Sequence, residues 1–109
     1  MIKRKSAMTK YRAVKTEVDG IIFDSKKEAA RYKELILLEK SGVISHLELQ
    51  PRYDCVVNGK KICSYRADFR YFNDQNSVVE DVKGFKTPVY RLKKKLVEAL
   101  YPGIRILEI

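Results

Sequence analysis

The chain has 109 residues, which fits one domain and leaves little room for a second. Its 23 basic and 14 acidic residues give a net charge of +9, which favours nucleic acid first and an anionic membrane surface second as partners. The alternative is a soluble basic protein with neither partner. No apolar stretch approaches the roughly 18 residues of a membrane span, and nothing resembles a signal peptide, so we expect no membrane association and a cytoplasmic protein.

Residues 1–10 are basic and rich in small side chains, which predicts a flexible arm. Such an arm either grips phosphates nonspecifically or only keeps the protein soluble. Residues 11–109 are predicted to form a single domain. At its start, the Asp19-Gly20 pair between two apolar runs indicates a hairpin.

The first predicted helix covers Ser25 to Lys40 and is rich in alanine, leucine, glutamate and lysine. Ser25 is a suitable N-cap, and Gly42 follows the end. The predicted apolar stripe consists of Ala29, Tyr32, Ile36 and Lys40, widened by three leucines at 35, 37 and 38.

Strand-like sequence then runs from Val43 to Val57 and is interrupted by Gln50-Pro51, where proline predicts an edge or a bend. Asn58-Gly59 predicts a second hairpin. From Ile62 to Phe72 the residues alternate, which places Asp68 in the middle of a strand. One face of that strand would carry Cys63, Tyr65, Ala67, Phe69 and Tyr71, and the other Ser64, Arg66, Asp68 and Arg70.

The two cysteines, Cys55 and Cys63, lie in apolar, strand-like surroundings. A zinc site is not expected, because zinc needs about four nitrogen or sulfur ligands and His46 is the only histidine. Two small thiols in a reducing cytoplasm are the simplest interpretation, and a disulfide between facing strands stays open.

A further strand is predicted over Ser77–Lys83, and Thr87-Pro88 opens a second helix that ends at Pro102-Gly103. A last strand is predicted over Ile104–Ile109. This order of elements predicts an α/β protein with a mixed sheet and helices packed against it. The apolar stripe of the second helix is predicted to consist of Val89, Leu92, Leu96 and Leu100.

Asp68 and Asp81 lie in successive predicted strands, where opposed carboxylates about 4.5–5.5 Å apart would repel. A divalent cation between them removes that objection, and magnesium prefers such oxygen ligands. Lys83 would share the face of Asp81, and the carbonyl of Val82 could add a ligand. The alternative is that both acids form surface salt bridges with nearby arginines or lysines.

Two glutamates could support such a site. Glu28 completes a capping box with Ser25, or it adds a third carboxylate to the acids. Glu80 points to the face opposite Asp81, so we expect either a supporting role behind the site or a solvated charge.

Basic residues follow the acids along the chain, and the start of the second helix points amide groups outward, where an anion could bind. They either contact phosphates or form the solvated face of an amphipathic helix. The tyrosines at 65, 71 and 90 are interpreted as packing residues. The candidate DNA-binding residues are Lys86, Thr87, Arg91, Lys94 and Lys95.

Taken in order, five segments resemble the PD-(D/E)XK nuclease superfamily. They are FDSKKEAARYKEL, LELQPRY, YRADFRY, VVEDVKGFKTPVYRLKKKL and YPGIRILEI, which together run from about Tyr11 to Ile109. The chain looks most similar to a small phage and prophage endonuclease family, related in layout to Holliday-junction resolvases, the transposon-end nuclease and very-short-patch repair endonucleases. One departure is Ala67, which precedes Asp68 where many members have proline.

The resemblance implies a restriction-endonuclease-like core, a central mixed sheet flanked by helices. It implies that Asp68, Asp81 and the Val82 carbonyl hold Mg²⁺ or Mn²⁺, and that Lys83 orients the attacking water. Glu28 corresponds to the helix glutamate that completes the site in many members. Gln50 corresponds to a glutamine found near the site in some relatives.

The expected function is therefore metal-dependent hydrolysis of DNA in phage DNA processing or recombination, including cleavage of branched DNA, in a bacterial host cytoplasm. A homodimer is expected if the substrate is a four-way junction, because that task needs two symmetric cuts. The alternative is a noncatalytic nucleic-acid-binding module with the same fold.

Overall fold

A computed structural model describes residues 14–82 and 86–109, so the predicted arm over residues 1–10 lies outside the described residues. The described residues contain eight strands and two helices. The chain divides into two compact units, one ending at Leu37 and the other running from Leu38 to Ile109. Whether residues 11–109 behave as one domain stays a prediction.

The first unit begins with a hairpin of β1 (Thr16–Val18) and β2 (Ile21–Phe23). Asp19 and Gly20 both adopt positive φ angles, of 55° and 77°, which is the backbone conformation that a tight two-residue hairpin turn requires. The predicted hairpin is therefore confirmed.

The helix α1 (Lys26–Lys40) begins as predicted, because the Ser25 hydroxyl accepts a hydrogen bond from the Glu28 N–H at 3.1 Å. Its predicted apolar stripe is partly wrong: Ile36 is half-buried and Lys40 is exposed. The helix instead buries a face that includes a carboxylate, made by Glu28, Ala29, Tyr32 and Leu35.

The second unit contains a four-stranded sheet in the order β3-β6-β7-β8. The pairs β3–β6 and β6–β7 are antiparallel, whereas β7 and β8 are parallel, so the predicted mixed sheet is confirmed. The long connection between β7 and β8 contains the second helix, as a parallel pair requires. These strands are β3 (Ser45–Leu49), β6 (Phe69–Asn73), β7 (Asn76–Asp81) and β8 (Ile106–Glu108).

The strands β4 (Arg52–Val57) and β5 (Lys60–Arg66) form a separate two-stranded pair, turned by the predicted Asn58-Gly59. Both turn residues have positive φ, 51° and 77°, so this hairpin is also confirmed. The two cysteines, Cys55 and Cys63, lie opposite each other in this pair as free thiols.

The pair β4–β5 continues the pair β3–β6 without a change of register. Leu49 pairs with Phe69, and three residues further along each strand Arg52 pairs with Arg66. Between them, the Gln50 N–H donates to the Asp68 carbonyl at 2.9 Å, and the Ala67 N–H donates to the Pro51 carbonyl at 3.0 Å. We call residues 48–70 the bent ribbon, because they form one antiparallel hairpin with an interruption at these four residues.

This interruption corrects the prediction that Asp68 lies in mid-strand, since β5 ends at Arg66 and β6 begins at Phe69. The cause lies on the neighbouring strand. Pro51 has no N–H to donate, and Gln50 adopts a left-handed φ of 54°. The predicted bend at Gln50-Pro51 is confirmed, but its effect on the facing strand was not foreseen.

The helix α2 (Pro88–Leu100) also begins where predicted, and its N-cap Thr87 accepts a hydrogen bond from the Tyr90 N–H at 3.0 Å. Its predicted apolar stripe is partly wrong, because Val89 and Leu92 are exposed. The helix faces the core through Tyr90 and Val97, with Leu96 and Leu100 at its margin. The other buried residues of this core are Tyr53, Cys55, Tyr65, Ala67, Val79 and Ile106.

The helices have 15 and 13 residues. Across the described ranges 14–82 and 86–109, the structure contains no helix with the length and apolar character that crossing a membrane would require.

Candidate active site

Asp81 is the last residue of β7, and its side chain is 1% exposed. A buried carboxylate needs hydrogen-bond donors, and the Tyr65 hydroxyl donates to its Oδ2. The backbone is also fixed, because the Ile109 N–H donates to the Asp81 carbonyl at 3.0 Å. Asp81 is therefore held between β5 and the segment that follows β8.

Asp68 lies at the interruption of the bent ribbon, beside the end of β7. Its carboxylate Oδ2 accepts a hydrogen bond from the Val82 N–H at 2.7 Å, and its own N–H donates to the Glu80 carbonyl at 3.0 Å. Phe69 pairs with Glu80, so one further step along the two chains sets Asp68 against Asp81. The structure thus brings together the two predicted acids and Val82.

Tyr65 links the two acids electrostatically. Burial raises the pKa of its phenol well above the ordinary value of 10.0, and the hydrogen bond to Asp81 and the negative charges of Asp81 and Asp68 raise that pKa further. A phenol in this setting keeps its proton, so Tyr65 acts as a fixed hydrogen-bond donor. Both carboxylates lie near enough to influence the same hydroxyl.

Glu108, which sequence reasoning missed, lies beside Asp81 in the parallel β7–β8 register. Its carboxylate accepts a hydrogen bond from the Tyr90 hydroxyl at 2.8 Å and pairs with Lys86 at 3.1 Å and Lys94 at 3.9 Å. The Tyr90 hydrogen bond first, and then Lys86, lower the pKa of Glu108 below its ordinary 4.5. Only the pairing of β8 with β7 could have identified it.

Tyr90 connects this glutamate to the predicted acids. Burial raises the pKa of the Tyr90 phenol, followed by its hydrogen bond to Glu108 and the negative charge of Asp81. The sequence-based interpretation of Tyr65, Tyr71 and Tyr90 as packing residues is confirmed by their burial, at most 7% exposed. All three also donate hydrogen bonds to carboxylates.

Glu80, the residue before Asp81, points to the opposite face of the sheet and is fully buried. The Tyr71 hydroxyl donates to its Oε2. The alternative that Glu80 is a solvated charge is therefore wrong. Tyr65 and Tyr71 were predicted to share one face of one strand, but their hydroxyls bind adjacent residues whose side chains leave β7 on opposite faces.

Among the salt-bridge partners considered for the two acids, Lys83 lies outside the described residues, so the salt-bridge alternative stays a prediction. Asp81 is buried, and the ion pair of Arg70 is with Glu48. Arg66 is exposed and forms no salt bridge within the described part of the chain.

The other candidate residues occupy different places. Gln50 is exposed and contacts Asp68 through its backbone N–H. Glu28 is 6% exposed and belongs to the unit that ends at Leu37, so its role as a third ligand stays a prediction. Lys83 lies outside the described residues, so its position on the face of Asp81 stays a prediction.

The predicted DNA-binding residues divide into two groups. Lys86 and Lys94 pair with Glu108, and the Thr87 hydroxyl caps α2, so these three already have intramolecular partners. Arg91 and Lys95 are exposed on the helix.

The predicted ligands at the acids are the two carboxylates and the Val82 backbone carbonyl. Among residues 14–82 and 86–109, no three histidine, cysteine, aspartate or glutamate side chains are arranged to hold a metal ion. Magnesium commonly takes one or two carboxylates together with waters and substrate phosphate. A carboxylate has about four lone-pair sites, so the hydrogen bonds at Asp68 and Asp81 are compatible with cation binding.

Comparison with known proteins identifies the family of the chain. No curated protein matches the chain. A family model described as "Protein of unknown function (DUF1064)" matches residues 8–109, which include both acids, the bent ribbon and α2. The chain therefore belongs to the DUF1064 family.

Proposed function

We propose that this protein is a divalent-metal-dependent endonuclease that hydrolyses DNA phosphodiester bonds at Asp68 and Asp81. The observation that supports it is the placement of Asp68 next to the end of β7, where the charges of both acids act on the Tyr65 hydroxyl. Two neighbouring carboxylates, one of them buried, repel strongly. A cation between them turns that repulsion into a binding site.

Each acid is oriented by a neighbour. The Val82 N–H fixes Asp68, and the protonated Tyr65 fixes Asp81. With the Val82 carbonyl they would hold Mg²⁺ or Mn²⁺, which when bound supplies an acidified water and offsets charge on the phosphate. The proposed role of Lys83 is to orient the attacking water, and that of Glu28 is to add a carboxylate. The water oxygen forms a new bond to phosphorus as the bond from phosphorus to O3′ breaks, which leaves a 5′-phosphate and a 3′-hydroxyl.

The test is a cleavage assay on supercoiled, linear and four-way-junction DNA, with Mg²⁺, Mn²⁺ or a chelator. Asp81→Asn keeps an oxygen for the Tyr65 hydroxyl but removes the charge. We expect it to lower the cleavage rate by roughly 1000-fold, because a bound cation contributes several kcal/mol to transition-state stabilisation. Asp68→Asn should have a similar effect.

A matched control is Asp74→Asn, the same substitution at an exposed turn residue with a φ of 61°, which asparagine adopts readily. This variant should cleave at the wild-type rate. If the wild-type protein binds DNA but cuts none of the substrates with either metal, the chain is a noncatalytic binding module and the proposal is wrong.

A further inference from the structure

The outer face of the β4–β5 hairpin carries an unusual arrangement of charge. Arg52 and Arg66 lie directly opposite each other across the two strands. Like charges in opposed positions destabilise a strand pair, so such a pair calls for a compensating anion. The other face of the hairpin is buried in the core through Tyr53 and Tyr65, which leaves the arginine face to solvent.

The carboxylate of Asp54 forms ion pairs with two cations on this face. Asp54 Oδ1 lies 3.3 Å from Arg52 Nε and 3.6 Å from Lys61 Nζ, and it accepts a hydrogen bond from the Ser64 hydroxyl at 2.8 Å. The Ser64 hydrogen bond and the two cations lower the pKa of Asp54. The hairpin face therefore has three cations against one anion, with Arg52 held in place by hydrogen bonds to Asp54 and Ser64.

The positive charge of Arg66 has no anionic partner among the described residues. Arg66 is exposed, and its side chain makes no ion pair or hydrogen bond with any residue in the described ranges. It is also two residues before Asp68, so the charged face ends beside the candidate active site. By contrast, Lys86, just before α2, and Lys94, on α2, are already paired with Glu108.

We propose that the outer face of the hairpin, formed by Arg52, Lys61 and Arg66, binds the phosphate backbone of the DNA that reaches the active site. This inference rests on the proposed function for its substrate. From Lys61 to Arg66 the strand spans about 16 Å at roughly 3.3 Å per residue, about the rise of five DNA base pairs. Arginine suits this task because its planar donors match phosphate oxygens.

The test is equilibrium DNA binding by fluorescence anisotropy, in chelator to prevent cleavage, at several salt concentrations. The triple variant Arg52→Gln/Lys61→Gln/Arg66→Gln should weaken binding and flatten the dependence of log Kd on log salt by about 2 to 3, since each lost phosphate contact contributes roughly 0.9 on duplex DNA. The single variant Arg66→Gln should flatten it by about 1, and it serves if the triple variant does not fold.

A control triple variant has the same change of net charge at exposed positions outside the β4–β5 hairpin: Lys33→Gln/Lys40→Gln/Arg105→Gln. It should leave the salt dependence nearly unchanged. A helix variant, Arg91→Gln/Lys95→Gln, tests the rival surface. If the helix variant flattens the salt dependence and the hairpin variants do not, the inference is overturned.

Two further outcomes separate this inference from the proposed function. A wild-type protein that never cleaves, but loses DNA affinity in the hairpin variants, supports the hairpin surface and contradicts the nuclease. A protein that cleaves and binds DNA equally well with or without the three cations retains the nuclease and overturns the hairpin surface. Loss of binding to phosphatidylserine vesicles in the hairpin variants, with DNA binding unchanged, also overturns it.

Discussion

Glu80 and Asp81 are neighbouring buried carboxylates on opposite faces of β7, and the residues around them differ. Glu80 and Asp81 are 0% and 1% exposed, and each accepts a hydrogen bond from a tyrosine hydroxyl. On the Glu80 face, the residue directly opposite is the buried Phe69. On the Asp81 face, the negative charges of Asp81 and Asp68 both act on the Tyr65 hydroxyl. Those of Asp81 and Glu108 both act on the Tyr90 hydroxyl.

This difference teaches that burial of an acid does not by itself identify a reactive site. Taking a carboxylate from water costs several kcal/mol unless hydrogen bonds compensate, and both positions provide a phenol for that purpose. Asp81 also has the carboxylate neighbours Asp68 and Glu108, which add repulsion that a bound cation would relieve. These neighbours, and not burial, make Asp81 a candidate for cation binding.

The largest expected difference between the two faces is in catalysis. Asp81→Asn should reduce cleavage by roughly 1000-fold, whereas Glu80→Gln should change the cleavage rate less than about tenfold, because Glu80 lies behind the sheet from the acids. Single-turnover cleavage rates of the two purified variants, measured side by side with Mn²⁺, provide the check. Equal losses in both variants would mean that the two acids act as one unit.

The next difference is in stability. Tyr71→Phe removes the hydroxyl donor of the fully buried Glu80 and should lower the free energy of unfolding by about 1–3 kcal/mol. Tyr65→Phe should lower it by less, because the Asp81 face includes the partly exposed Asp68 and Glu108, through which water can replace the lost donor. Urea denaturation of both variants measures the difference.

The matched experiment is Tyr71→Phe combined with Glu80→Gln. A neutral amide left without the tyrosine should be less unfavourable than a carboxylate, so the double variant should recover part of the stability lost in Tyr71→Phe. If the double variant loses the full sum of the two single effects, the hydroxyl and the carboxylate are not energetically coupled.

The smallest effect is the pH dependence on the Asp81 face. The pKa of Glu108 is below its ordinary 4.5 in the folded protein. A carboxylate with a lowered pKa stabilises the fold above the unfolded-state pKa, and this contribution is lost as the pH falls through the folded-state pKa. Glu108→Gln should therefore lower the Tm near neutral pH, with a deficit that shrinks below about pH 4.5.

Thermal unfolding of wild type and Glu108→Gln from about pH 3 to pH 7 tests this expectation. Glu98→Gln is a suitable comparison, because Glu98 lies on the same helix as Tyr90 and its carboxylate accepts the Ile106 N–H at 2.8 Å instead of a tyrosine hydroxyl. A Tm deficit in Glu108→Gln that is constant across this range would contradict the assignment.

Local sequence signals predicted the turns and helix starts well. Asp19-Gly20 and Asn58-Gly59 can adopt positive φ, and Ser25 and Thr87 carry hydroxyls that accept amide hydrogen bonds. Each of these features depends on residues only a few positions apart, so a single sequence contains the necessary information.

The features that were missed depend mostly on pairing between distant residues. Glu108 becomes part of the candidate site only because β8 pairs in parallel with β7. The strand expected at Asp68 is interrupted because Pro51 and Gln50 lie on the facing strand. Periodicity also misassigned the buried face of α2. Val89 and Leu92, which are exposed, fit helical spacing as well as the buried Tyr90 and Val97 do.

The register of the bent ribbon is continuous from the Glu48–Arg70 pair to the Cys55–Cys63 pair, and it shifts by one residue between Cys55 and Val56. Removing one residue from either arm of the continuous part would turn the following side chains to the other side, and the tyrosines and cations would exchange environments. Insertions at the Asn58-Gly59 tip avoid this penalty, because residues beyond the last cross-strand pair have no partner to displace. We therefore expect longer loops to be accommodated at the tip, while the arms between the Cys55–Cys63 pair and Asp68 tolerate length changes only when both change together.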